Sequence, residues 1–250
     1  TVVAALPTNT GYVSMEDNSI QLIIVDGTFG YVYTFSTGVL AYIVDGNFPN
    51  GATSVAFLNG RFIVNKPNTR EFYVSALLDG FTWTYLGLPI YGTKENSSDL
   101  LVEVDVLNGL LVLWGQTSIE FWQDVGDTPL PYQRINGATQ SWGLAARGSH
   151  VKVGNTEIFL GLNPDGGYRV LKLNGYQPVP ISDEDIEYVL EQAVLVHGTA
   201  AVSDAVALTY TAYGHSVYQI TFPSLDRTFA YDLASGVWHE AQSGVSETPT

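Results

Sequence analysis

Four histidines, His150, His197, His215 and His239, are the side chains of this 250-residue chain best suited to bind a metal or move a proton near neutral pH. None lies in an H-x-x-x-H or H-x-H spacing, and the chain contains no cysteine. A metal site would therefore need distant segments to converge, and histidines hydrogen-bonded near strand ends are the plainer reading. No G-x-S-x-G nucleophile turn occurs. "GATQSWGLAARG" (137–148) is glycine-rich but lacks the Lys-Ser/Thr end and strand-to-helix setting of a phosphate loop. Carboxylates remain, because glycoside hydrolysis needs two of them across a cleft. Asp79, Glu95, Asp99, Asp124, Asp127, Asp165 and Asp226 fall near turns. No catalytic, cofactor-binding or metal-binding set is expected from these residues.

Two stretches use acids differently. "SALLDGFTW" (75–83) has the residue types of a sialidase Asp-box, in which Asp and Trp brace a hairpin. The spacing departs from the box, since Asp79 and Gly80 are adjacent, and a sialidase arginine triad has no motif to support it. Asp79 and Trp83 are thus candidate turn braces. "TFAYDLASGVWHEA" (228–241) pairs a strand ending at Tyr231-Asp232 with one opening at Val237-Trp238, in the rhythm of a kelch blade. Asp232 can accept from turn amides, Gly236 can take a positive φ, and Tyr231 and Trp238 can pack on paired strands. This hairpin reads as a rib of a scaffold.

Such braces need strands to hold. Short β-branched and aromatic runs punctuated by Gly, Asn and Asp recur along the chain, as in antiparallel β proteins. Asn59-Gly60 and Asn108-Gly109 each sit between apolar runs, a strong hairpin signal. With Asp17-Asn18, Gly154-Asn155 and Tyr213-Gly214 they give turn spacings of 42, 49, 46 and 59 residues. Blades of four antiparallel strands recur at about 40–50 residues. The spacing predicts an all-β protein, a β-propeller with about five blade-like units, over a β-sandwich. Residues 1–250 are expected to form a single propeller domain, part of a longer native chain.

The long last interval is explained by an insertion. "SDEDIEYVLEQAV" (182–194) offers a Ser182 cap, acids in its first turn, and Ile186, Leu190 and Ala193 on one face. A short helix over 182–196 is predicted. Asp183, Glu184, Glu187, Tyr188 and Glu191 form its candidate partner-contact face, because insertions in repeat folds often carry partner contacts.

Composition bounds the partners. There are 25 acids against 10 bases, a formal net charge of −15, which repels phosphate backbones and anionic membranes. The lack of cysteine leaves burial and hydrogen bonding to hold the fold.

An ordered set of strings carries a family resemblance: "FLNGRFIV" (57–64), "EFYVSALLDGFTW" (71–83), "SIEFWQDVGDTPLPYQRINGA" (118–138), "GHSVYQITFP" (214–223) and "TFAYDLASGVWHE" (228–240). Together they resemble the packaged-DNA stabilisation proteins, the tail hub proteins of short-tailed bacteriophages. The connector "KENSSD" (94–99) also falls where that family places acids between blades. The resemblance implies a non-enzymatic structural protein of the virion tail, which forms a homo-oligomeric ring under the portal and its adaptor. It implies closure of the exit channel over packaged DNA and attachment points for needle and spikes, with no cofactor, membrane or sequence-specific nucleic acid. The alternative is a glycan-binding or glycan-hydrolysing propeller on a phage tail, which would place aromatics and two close carboxylates on one open face.

Overall fold

Each of the five turn positions named above joins two consecutive, paired strands of one sheet. In the computed structural model, which describes residues 5–9 and 11–241, five antiparallel sheets follow one another along the chain. Blade 1 is β1(Ser14–Asp17), β2(Gln21–Val25), β3(Gly30–Thr34) and β4(Val39–Tyr42). Blade 2 is β5(Val55–Leu58), β6(Arg61–Asn65), β7(Glu71–Val74) and β10(Tyr91–Thr93). Between its last two strands lies a small hairpin, β8(Thr84–Tyr85) and β9(Leu88–Pro89). Blade 3 is β11(Leu101–Leu107), β12(Leu110–Gly115), β13(Ile119–Asp124) and β14(Tyr132–Arg134). Blade 4 holds β15(Gly143–Leu144), β16(Val151–Val153), β17(Thr156–Leu162), β18(Tyr168–Asn174) and β19(Gln177–Pro180). Helices α1(Glu184–His197) and α2(Ala200–Ser203) precede blade 5, which is β20(Val206–Ala212), β21(His215–Phe222), β22(Arg227–Asp232) and β23(Val237–Ala241).

The turn chemistry explains why the chain reverses where it does. Asn59 and Gly60 take φ of 49° and 82°, Asn108 and Gly109 take 51° and 78°, and Tyr213 and Gly214 take 51° and 83°. Successive positive φ values give a two-residue loop whose twist matches that of the strands it joins. The register agrees, with Leu58 opposite Arg61, Leu107 opposite Leu110 and Ala212 opposite His215. The first turn works through side chains instead: Asn18 Oδ1 accepts from the N–H groups of Ile20 (3.0 Å) and Gln21 (2.7 Å).

The chain falls into two compact units, residues 1–143 and 144–250. Within the first unit, strand alternation builds the core. Phe62 and Val64 of β6 pack with Ile23, Val25 and Val32 of blade 1, while Ile63 between them packs with Leu101, Leu111 and Leu113 of blade 3. Blade 2 is thus apolar on both faces because it lies between two neighbours. In the second unit Ile158, Leu160 and Val170 of blade 4 share a core with Tyr218, Ile220 and Phe222 of blade 5. The helices close that core through Ile186, Leu190, Ala193 and Val202.

One detail of the insertion differs from the expectation. Asp183, not Ser182, caps α1: its side chain accepts from Ile186 N at 3.0 Å. Ser182 is drawn away because its hydroxyl accepts from Val170 N (3.2 Å) on β18 and donates to Glu187 Oε1 (3.1 Å). The helix ends at Gly198, whose φ of 78° suits glycine and whose N–H reaches Val194 O.

Candidate functional site

Of the turn carboxylates named above, Asp79, Asp99 and Asp124 accept from backbone N–H groups, and Glu95 pairs with the Arg134 side chain. Asp79 Oδ1 accepts from Phe81 N at 2.9 Å. Trp83, fully buried, does not reach it: its indole donates to Gly80 O (2.9 Å), its N–H to Asp45 Oδ2 (2.7 Å), and its ring meets Phe48 edge-on. Asp26 accepts from the N–H groups of Thr28 and Phe29 and from the Tyr31 hydroxyl. Asp124 accepts from Gly126 N and from Asn59 Nδ2 (2.8 Å), which links the tip of the blade 2 hairpin to blade 3.

Asp232 gathers three donors: Ala234 N (2.9 Å), the Ser235 hydroxyl (2.8 Å) and His215 Nδ1 (2.8 Å). The Ala234 N–H is the largest influence, followed among the lowering groups by Ser235 and His215, and together they hold the carboxyl down to about 2. Gly236, at φ 71°, sends its N–H to Asp232 O. Trp238 stacks obliquely against Tyr231, and its indole donates to Ile181 O (2.6 Å), just before α1. Blade 1 repeats the geometry, with Gly38 at φ 67° donating to Thr34 O and lying beside the Tyr33 hydroxyl. Of the other histidines, His150 has a buried side chain with Nε2 3.6 Å from Glu157 Oε2, while His197 and His239 are exposed.

Sequence reading missed the polar knot at residues 94–99. Lys94 is fully buried; its ammonium donates to Asp99 Oδ1 and to the Ser118 hydroxyl (2.6 Å). Asp99 also accepts from Thr117 N (2.8 Å), Ser118 N (3.1 Å) and Ser118 Oγ (2.9 Å). Burial pushes its pKa up, but Lys94 and the other donors outweigh that and hold it below the usual carboxylate range. Glu120, also fully buried, accepts from Glu95 N, Asn96 N and Trp122 Nε1. The acidic connector therefore fastens blade 2 to blade 3. Its local signal is weak, because Ser118 and Glu120 stand more than twenty residues from Lys94.

The α1 face divides. Asp183 serves as the cap, and Glu187 pairs with Arg169 at 3.2 Å. Glu184, Tyr188 and Glu191 point to solvent, with Tyr188 63% exposed. A separate cavity of about 450 Å³ lies along the outer strands β10 and β14, where Arg134 meets Glu95 (3.2 Å).

Fold and site together define a β-propeller scaffold in which acids and aromatics brace turns. The chain belongs to the family described as "Bacteriophage P22 Gp10, beta-propeller", whose model matches residues 1–250. That makes it a structural protein of the bacteriophage virion, associated with the tail. No curated protein matches the chain.

Solved structures share the fold at low identity. One is described as dihydro-heme d1 dehydrogenase NirN in complex with DHE, at 10% identity and TM-score 0.55, over 93% of this chain and 46% of that one. Another is a chain of a mitotic checkpoint complex, at 11% identity and TM-score 0.53, over 90% and 61%. A third is the computationally designed Ika8 protein, at 11% and 0.51, over 96% and 64%. The chain thus spans between about half and two thirds of these structures.

Proposed function

We propose that this chain is a non-catalytic part of the tail hub, helping to close the portal channel over packaged DNA while other tail proteins attach to it. The observation that carries the reading is the use of the carboxylates: Asp26, Asp45, Asp99, Asp124, Glu120 and Asp232 each accept from backbone N–H groups. Groups fixed in this way stiffen loops and are ill placed to exchange protons with a substrate. Family membership supports the virion role, and it also supports reading residues 1–250 as one propeller domain. In this proposal subunits contact one another in a ring, and Glu184, Tyr188 and Glu191 meet a neighbouring tail protein.

Particles assembled without the chain should package DNA and then lose it, and adding the chain back should restore retention. Particles that keep their DNA without it would refute the proposal. A glycan-binding reading has one observation in its favour: Tyr91 is 47% exposed, stacks on Tyr73 and borders the β10–β14 cavity. A glycan array without signal disposes of it.

A further inference from the structure

Between α1 and the outer strands of blade 5 runs a groove of two adjoining cavities, about 280 and 220 Å³, which share Val189 and Arg227 in their walls. We infer that this groove seats a basic, amphipathic peptide segment of another virion protein. The inference rests on the reading of the chain as a tail protein that works through protein contacts.

The two ends differ in chemistry. One is apolar, walled by Tyr188, Val196 and Leu225. Tyr188 and Val196 are 63% and 67% exposed, and they stand two turns apart on one side of the helix. The other end is walled by Asp183, Asp185 and Trp238. Arg227, among the described residues the one Lys or Arg side chain in either wall, is held bidentate by Glu240 at 2.7 and 2.9 Å, so its charge is already matched. The carboxylates of Asp183 and Asp185 have no such cation in the walls.

Acids in the first turn of a helix ordinarily complement its dipole. Glu191 lies outside both walls and Glu187 is paired with Arg169, so the negative charge that a ligand in the groove meets is that of Asp183 and Asp185, with no Lys or Arg on α1 to offset it. Ridges of apolar side chains running into an acidic mouth match a segment with leucine-like residues on one face and lysine or arginine at one end. A second copy of this chain is a poor occupant, since it brings the same net charge of −15 to the same face.

The test titrates the full chain with a synthetic leucine–lysine peptide and with its leucine–glutamate counterpart, read by tryptophan fluorescence and calorimetry. The expected result is saturable binding of the lysine peptide alone, with the fluorescence change lost in Trp238→Phe. The double variant Tyr188→Ser/Val196→Ser keeps the charge and removes exposed side chains. It should weaken binding at least tenfold while the thermal transition stays in place. Equal binding by the double variant would show general attraction to an acidic surface and overturn the inference. Absence of binding, equal binding of the glutamate peptide, or self-association that the double variant abolishes would overturn it as well. A chain that restores DNA retention to particles yet ignores the peptide loses the groove and keeps its virion role.

Discussion

Single polar side chains decide where the loops of this protein go, and Lys94 is the sharpest case. Its ammonium is fully buried, so its removal leaves the Asp99 carboxylate, with only 8% side-chain exposure, without a counter-charge and with neutral donors alone. Breaking a buried pair from one side costs about 3–5 kcal/mol, because the remaining charge stays desolvated. Lys94→Met should therefore lower the denaturant midpoint far more than the same change at the partly exposed Lys66. Equal effects would mean that the knot is dispensable. Asp232 gives a second residue-scale prediction. Its folded value of about 2 lies below the ordinary 3.8, so the ionised form favours the fold. That contribution is present above about pH 4 and fades as pH falls through about 2. An NMR titration should place the Asp232 midpoint near 2 and move it upward in Ser235→Ala. A midpoint near 4 would show that the Ala234 and Ser235 bonds do not persist in solution.

At the scale of elements, the helix cap separates two readings of the same sequence. Asp183 satisfies an otherwise orphan N–H of α1, and loss of such a cap costs about 1 kcal/mol. Asp183→Ala should cost that much in a melt, while Asp183→Asn, which keeps the acceptor, should cost less. A loss in Asp183→Ala no larger than that in Glu184→Ala, which removes an exposed acid with no capping role, would show that the Asp183 bond does not hold the helix end. What the sequence makes legible depends on how local each structural demand is. Asn59-Gly60 and Asn108-Gly109 announced their turns because positive φ is a local demand that few residue types meet. The helix was legible through its 3.6-residue stripe of Ile186, Leu190 and Ala193, but its cap was not. Ser182 and Asp183 are both good caps, and the choice depended on Val170 in a different strand. The Lys94 knot and the β8–β9 hairpin were missed for the same reason: neither the distant partners of Lys94 nor a pair of two-residue strands leaves a periodic trace. The groove beside α1 was half visible: the acids were read from sequence, whereas Leu225 and Trp238 reach it only through the fold.

For the molecule as a whole, charge sets what the blades can hold. Phosphate neutralisation by Lys and Arg supplies most non-specific DNA affinity, and a surface with few free cations has little of it. Ten bases stand against 25 acids here, and Lys66, Lys94, Arg134, Arg169 and Arg227 are already paired with carboxylates. In the role proposed above, a protein so built would retain packaged DNA by blocking its path and not by gripping it. The full chain should therefore leave duplex DNA unretarded in a gel even at about 50 mM salt, where electrostatic binding is strong. The same chain should still restore DNA retention to particles that lack it. A retarded band that fades with added salt would reveal a basic stripe that outweighs the net charge, and retention would then rest on grip instead of closure.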